Sequence, residues 1–150
     1  MTTAGWVKLN STASDVAFWG NYGGSGAKEY SIGFNTGASF VLRYSGDGTT
    51  ENNLNTTSFS VSTGTWYFLL AEYDGTGDVL EITVNNSSSF NTSFSGFATT
   101  SSAFNVGRES SPGRYFNGLV DSLSVWNRIL TTEEKAALYN GGSGLDYDNF

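Results

Sequence analysis

Cysteine and histidine are both absent from this 150-residue chain. Without thiols there is neither a disulfide framework nor a thiolate metal site. Without imidazole the usual general base and the commonest metal ligand are gone as well, so any chemistry falls to carboxylates, hydroxyls, amides and backbone oxygens. Cations are scarce: 7 Lys plus Arg stand against 14 Asp plus Glu, a formal net charge of −7. That balance argues against a nucleic-acid partner, because gripping a phosphate backbone needs clustered Lys and Arg. No stretch approaches the roughly 18 consecutive apolar residues of a membrane span, so membrane insertion is not expected. The start, Met1-Thr2-Thr3-Ala4-Gly5-Trp6, lacks the basic region and apolar run of a signal peptide. Two readings stay open: a segment trimmed from a longer protein, or export without such a signal, as for virion parts.

What is present is small and polar. Ser, Thr, Asn and Gly make up 71 of the 150 residues, a surface chemistry associated with secreted and virion β-proteins; the expected setting is extracellular, on a cell surface or on a virion. Short β-branched and aromatic runs recur between turn clusters at Gly5–Leu9, Val16–Gly20, Glu29–Phe34, Ser39–Tyr44, Ser58–Val61, Thr65–Tyr73, Val79–Val84, Ala103–Gly107 and Gly118–Asn127. Several alternate: Tyr30, Ile32 and Phe34 fall on one face, Ser31 and Gly33 on the other, and Phe40, Leu42 and Tyr44 oppose Val41 and Arg43. The apolar run Trp66–Ala71 fits a central strand covered on both faces. Asp74-Gly75-Thr76-Gly77-Asp78 and Asn85-Asn86 are hairpin chemistry. The Ser-rich patches Ser87-Ser88-Ser89 and Thr99-Thr100-Ser101-Ser102 read as loops. One helix is expected, Thr132–Asn140, with Thr131 and Glu134 at capping-box spacing and Gly141 at the stop. The reading is all-β, an antiparallel two-sheet β-sandwich with one short helix near the C-terminus, as a single domain over residues 1–150.

The order of landmarks is more specific than any one of them. Gly5-Trp6-Val7-Lys8, Tyr30-Ser31-Ile32-Gly33, Gly64-Thr65-Trp66-Tyr67, Tyr73-Asp74-Gly75, Leu80–Asn85, Phe104–Arg108, Tyr115–Asp121 and Val125-Trp126-Asn127-Arg128, followed by the capped helix, run in that sequence. The series resembles the laminin-G-like branch of the concanavalin-A-like lectin and glucanase jelly rolls, over roughly the whole chain. The resemblance implies a jelly roll with Trp6, Trp66 and Trp126 in its core. It also implies a strand before the first tryptophan strand; here Met1 lies five residues before Trp6, so that strand is missing or comes from elsewhere.

Catalytic motifs are wanting. Glycosidases on this jelly roll resemble one another in a strand bearing Glu-x-Asp-x-x-Glu, whose carboxylates stand about 5–5.5 Å apart for retention; no such strand occurs. Acyl transfer lacks its usual base and its usual thiol nucleophile, since there is no His and no Cys. Gly23-Gly24-Ser25-Gly26 has no following Lys-Ser/Thr and leads into a strand, so it is a loop rather than a phosphate cradle.

Binding candidates remain. Strand alternation sends one of Phe18 and Trp19 outward; if it is Trp19, an aromatic platform forms with Asn21 and Tyr22 beside the Gly20–Ala27 loop, and if it is Phe18, Trp19 packs inside. Arg43 and Tyr44 lead one loop, and Arg108, Arg114 and Tyr115 flank the Glu109–Gly113 loop, where arginine can fork onto a glycan carboxylate or hydroxyl pair. Asp121 interrupts an apolar strand and needs a partner. By resemblance that partner is calcium, held together with backbone carbonyls; with the family's preceding strand absent, the nearest side chains to complete the site are Asn10, Asp15 and Asn117. Otherwise the partner is a backbone N–H of the adjoining turn or Arg128. The expected function is a non-catalytic module, part of a larger assembly, that binds glycan through rim loops. Its rival is a structural or interaction module of a virion or extracellular assembly that contacts protein; a hydrolase comes third.

Overall fold

The computed structural model describes residues 1–37, 39–109 and 114–145. Among them are ten strands: β1 Thr2–Leu9, β2 Val16–Tyr22, β3 Lys28–Asn35, β4 Ser39–Tyr44, β5 Asn52–Asn55, β6 Trp66–Asp74, β7 Val79–Val84, β8 Ser88–Ser93, β9 Phe104–Val106 and β10 Gly118–Trp126. One helix, α1 Thr132–Tyr139, and a 3-10 turn at Asn140–Gly142 follow. The strand pairings are antiparallel. The first sheet runs β10-β1-β6-β7-β8 and the second β5-β4-β3-β2-β9, so the chain folds as the expected two-sheet β-sandwich.

The interior follows from side-chain alternation. Val7 and Leu9 of β1, Tyr67, Leu69 and Ala71 of β6, and Leu80, Ile82 and Val84 of β7 face Phe18, Ile32, Phe34, Phe40 and Leu42 of the second sheet in one buried cluster. The opposite residues of β1 and β6 form a second cluster: Ala4, Trp6, Phe68 and Leu70, with Leu130, are roofed by Trp126, Leu138 and Tyr139. β6 is therefore covered on both faces, as its unbroken apolar run requires. The helix is fastened by charge as well. Buried Glu72 on that outer face accepts from Thr2 Oγ1 at 3.0 Å and the Leu130 amide at 3.2 Å, and pairs with Lys135, which leaves no unpaired carboxylate under α1. The capping box is complete, with Thr131 Oγ1 accepting from the Glu134 amide and Glu134 from the Thr131 amide.

Turn chemistry behaves as expected at Asn85 and Asn86, which both take the left-handed region at φ 51° and 52° between β7 and β8. Two strands escaped the sequence reading. β5 (Asn52–Asn55) and β8 (Ser88–Ser93) each carry one inward apolar residue, Leu54 and Phe90. Both are edge strands, recruited by the unpaired backbone of β4 and β7 rather than by propensity. Ser88 and Ser89, expected in a loop, accordingly begin β8 and pair with Val84 and Thr83. Conversely Ser58–Val61 is not a strand; Phe59 and Val61 cover the core from a loop.

Candidate functional site

The second sheet has an unusual outer face, most of it buried. Its outward positions are Ala17 and Gly20 on β2, Ser31 and Gly33 on β3, Val41 and Arg43 on β4, and Asn53 and Asn55 on β5, placed side by side by the register. Small residues make the floor. A Cβ on Gly33 would lie 2.1 Å from the Val16 carbonyl oxygen and 2.7 Å from Arg43 Nη1, and one on Gly20, whose φ is 145°, would lie 2.3 Å from the Tyr30 carbonyl oxygen. Glycine at 33 is what lets the Arg43 guanidinium lie flat on the sheet.

Arg43 is 5% exposed. Its Nη1 and Nη2 donate to the carbonyls of Val16 and Phe34, each at 3.3 Å, and Nη1 stands 3.6 Å from Glu109 Oε1. The other oxygen of Glu109 is 3.6 Å from Arg114 Nη1. A chain Arg43–Glu109–Arg114 thus runs outward from the sheet, from a buried cation through a buried anion to an arginine whose side chain is 46% exposed. Burial pushes the Glu109 carboxyl above its ordinary value against the pull of the two arginines. A parallel chain runs along the rim, where the Tyr22 hydroxyl donates to Glu51 at 2.5 Å and Lys28 stands 3.8 Å from the same oxygen. Burial works to raise Glu51, but hydrogen bonds from Tyr22 and Asn53 and the nearby Arg43 and Lys28 outweigh it and hold the carboxyl below its usual value. Burial and the Glu51 carboxylate together drive the Tyr22 hydroxyl far up.

Between these chains lies a polar cleft of about 400 Å³, lined by Asp15, Asn35, Thr36, Gly37, Val41, Arg43, Glu51, Asn53 and Arg114. Asp15 is fixed there by the Thr36 amide, which donates to it at 2.7 Å, and Asn35 donates to Asn55 at 2.5 Å. The donors and acceptors are thus held before any ligand arrives.

Of the residues singled out in the sequence, the cleft brings together Arg43, Arg114 and Asp15, with Tyr22 behind its rim. Arg108 is exposed and donates to Asn105 at 2.9 Å, and its bridge to Tyr115, which is 70% exposed, closes the base of the 109–114 loop. Residues 110–113 of that loop lie outside the described residues. The aromatic platform is not there. Trp19 is fully buried, and so is Phe18, because the β2–β3 register shifts between Ala17 and Trp19. A bulge carries one extra residue, so two successive side chains face the same way and strand alternation fails at that point. Tyr22 is 6% exposed and Asn21 half-buried, paired with Tyr30 in the register. Tyr44 packs edge-on against Phe94 and belongs to the core. Trp66, expected in the core, is 37% exposed at the start of β6, and Trp126 is half-buried beside α1. Asn53, Glu51 and Thr36 were missed; the register of β5 against Arg43 is what places the first, and β5 had no signal of its own.

The four residues expected to bind calcium do not assemble. Asp121 is exposed on the outer face of the first sheet, opposite Trp6, and its Oδ1 accepts from the Ser122 amide at 2.7 Å. Only that oxygen is engaged by the adjoining Ser122, and Arg128 pairs with Glu134 at 2.6 Å instead. Asn10 and Asn117 meet each other at the far end of the β1–β10 pair, with Asn10 Nδ2 donating to Asn117 Oδ1 at 3.3 Å, and Asp15 belongs to the cleft of the other sheet. Among the described residues no group of three or more acidic side chains is placed to hold a metal.

The profile of the concanavalin A-like lectin/glucanases superfamily matches residues 1–134. The chain belongs to that superfamily. No curated protein matches this lectin/glucanase-superfamily domain in sequence; solved structures do match it in fold. A native heptameric SAP-like pentraxin from Limulus polyphemus superposes with a TM-score of 0.68 at 13% identity, over 92% of this chain and 68% of that one. The IT-sialidase CBM40 of Ruminococcus gnavus, bound to α2,3 sialyllactose, gives 0.65 at 12% over 89% and 78%. Domain 4 of an extracellular arabinanase from Geobacillus stearothermophilus, in complex with arabinotriose, gives 0.58 at 18% over 81% of this chain and 57% of that one. At these identities the superfamily domain shares a fold with them, and function rests on its own residues.

Proposed function

We propose that this domain is a non-catalytic glycan-binding module and that its site is the polar cleft on the outer face of the second sheet. The observation that carries the reading is the Arg43–Glu109–Arg114 chain, which presents one exposed guanidinium in the same cleft as Asp15, Glu51 and Asn53. Sugar hydroxyls both donate and accept. A cleft that alternates carboxylate, amide and guanidinium groups, already held by neighbours, answers them without first ordering long side chains.

The same geometry argues for binding without cleavage. Hydrolysis with retention needs a protonated carboxylic acid facing a carboxylate across the scissile bond. The nearby carboxyl raised in this way, Glu109, is 5% exposed between Arg43 and Arg114 and does not line the cleft, whereas Glu51, which does, is held below its usual value. An extracellular or cell-surface setting agrees with this reading and with the small polar surface; CBM40 and the arabinanase domain, which share the fold, were seen with sialyllactose and arabinotriose. A glycan array with the purified domain tests the proposal. Retained glycans should be lost in Arg114→Ala, whose melting temperature stays near the parent's because its side chain is half in solvent. Retention that Arg114→Ala and Asn53→Ala leave unchanged would refute it.

One feature favours the interaction-module rival. β5 and β8 meet along one flank of the sandwich, which leaves the edge strands β9 and β10 on the other. That flank exposes Phe104 at 42%, Val106 at 51%, Leu119 at 49% and Val125 at 54%, and open apolar edges invite strand pairing. A concentration-dependent dimer that Leu119→Lys or Val106→Lys disperses would establish this second role.

A further inference from the structure

The outer face of the first sheet carries a second concavity, far from the cleft. β1 is flanked there by β6 and β10, and the register sets Trp6 beside Phe68 and Asp121, and Lys8 beside Trp66 and Leu119. Trp6 is committed to packing, stacked on Tyr139 with ring centroids 5.8 Å apart and tilted on Phe68 at 5.3 Å. Trp66 is different. It begins β6, is 37% exposed, and among the described residues its ring is approached by the Lys8 ammonium, 5.2 Å from the centroid, and by no other aromatic ring. After α1 the chain crosses the edge of Trp6 through Gly142 and Gly144, with φ of 99° and 72°; a Cβ on Gly144 would come within 3.1 Å of Trp6 Nε1. The result is an open concavity of about 210 Å³ lined by Trp6, Trp66, Asp121, Ser122 and residues 142–145.

Two details show that its polar side is set by the fold. The β1–β10 register shifts between Ala4 and Trp6, so Ser122 and Leu123 oppose Gly5, and Ser122 is held in the left-handed region at φ 50°. A non-glycine residue in that region is strained, and bulges of this kind re-aim side chains. The bulge occupies Asp121 Oδ1 with the Ser122 amide at 2.7 Å and hydroxyl at 3.3 Å, while Oδ2 takes no bond from any described residue. An acceptor is thereby left free beside an exposed indole.

We propose that this concavity is a second carbohydrate subsite, which takes one neutral pyranose residue with its C–H face on Trp66 and its hydroxyls donated to Asp121 Oδ2 and shared with Ser122 Oγ. The indole, with the Lys8 ammonium 5.2 Å from its centroid, offers an apolar face of ring size, and the carboxylate accepts from the hydroxyls of a neutral sugar. The volume suits a single ring and is too small for a protein segment. The subsite stands on its own geometry; only its consequence, a module that bridges two glycans from opposite faces and gains avidity on branched or crowded ligands, rests on the cleft reading.

The test is titration of the uniformly ¹⁵N-labelled domain with the methyl pyranosides of glucose, galactose and mannose, followed at the tryptophan indole N–H signals. At least one should shift the Trp66 and Trp6 signals saturably and leave buried Trp19 unmoved. Trp66→Ala and Asp121→Ala should each weaken that binding by about tenfold or more with melting temperatures close to the parent's. Indole shifts that survive Arg114→Ala support the second subsite whatever becomes of the cleft. The proposal is overturned if none of the three pyranosides moves the signals at tens of millimolar, if Asp121→Ala leaves the affinity intact, or if tetramethylammonium moves them and the pyranosides do not.

Discussion

Arg43→Met removes the inner cation of the cleft and retains most of the side chain's apolar volume. The guanidinium's two bonds to Val16 and Phe34 carbonyls are lost, and Glu109 keeps only Arg114. Breaking a buried ion pair by deleting one partner costs about 3–5 kcal/mol, since the other charge is left without compensation. Arg114 is still 3.6 Å away and half in water, so the lower end applies, about 3 kcal/mol, or roughly 6–12 °C in melting temperature for a domain of this size. Glu109→Gln strands the buried Arg43 cation in turn, but that cation keeps its two carbonyl bonds, so the cost should be somewhat smaller, about 2 kcal/mol. The two changes must not add: once Glu109 is neutral, the loss of Arg43 strands no charge, and the double variant should melt above Arg43→Met alone. The pH dependence has a definite sign. Glu109 titrates above the ordinary 4.5 in the fold, so the stability it contributes is present at low pH and lost as pH rises through its raised value. The deficit of Arg43→Met should therefore shrink as pH falls towards 4.5 and be largest near neutrality. Thermal melts by circular dichroism between about pH 4 and 8 read all of this. A single variant within about two degrees of the parent, or strictly additive penalties, would mean that the chain does not organise the face.

Three further outcomes are expected. Trp19→Ala should cost about 3–5 kcal/mol as a fully buried aromatic, whereas Trp19→Phe should cost far less, because it also removes an indole N–H that no described residue accepts from; equal losses in denaturant melts would contradict this. Glu134 is drawn down to about 2 by its Arg128 partner and the Thr131 amide, so its contribution is present above the ordinary 4.5 and lost as pH falls towards 2; the gap in stability between parent and Glu134→Gln should close over that range, and a constant gap would deny the cap its role. Any rise in melting temperature that millimolar calcium gives the parent should persist in Asp121→Asn, because Asp121 stands apart from Asp15 and from the Asn10–Asn117 pair; a response abolished by that change alone would put the ion at β10.

The sandwich was legible because strands such as Tyr30–Phe34 and Ser39–Tyr44 alternate cleanly and the capping box at Thr131 and Glu134 has one meaning. Arg43 could be found because it leads the loop that follows one of these cleanly alternating strands. Trp19 could not be placed, since a bulge is a property of two strands in register and leaves no mark in one of them. β5, with only Leu54 to bury, and β8, with only Phe90, become strands because a neighbour's edge needs a partner. That is also why Asn53 and Glu51 stayed invisible. Trp66 looked like core from the apolar run it opens, but α1 covers that run only from Phe68 onward.

The central claim is that glycan binds on the outer face of the second sheet. A crystal structure of the domain with the strongest glycan from an array tests it most directly. The account predicts a sugar in the cleft, hydrogen-bonded to Arg114 and to at least one of Asp15, Glu51 and Asn53, with the Arg43–Glu109 pair unmoved beneath it. A glycan bound elsewhere on the domain, with the cleft filled only by solvent, would contradict it.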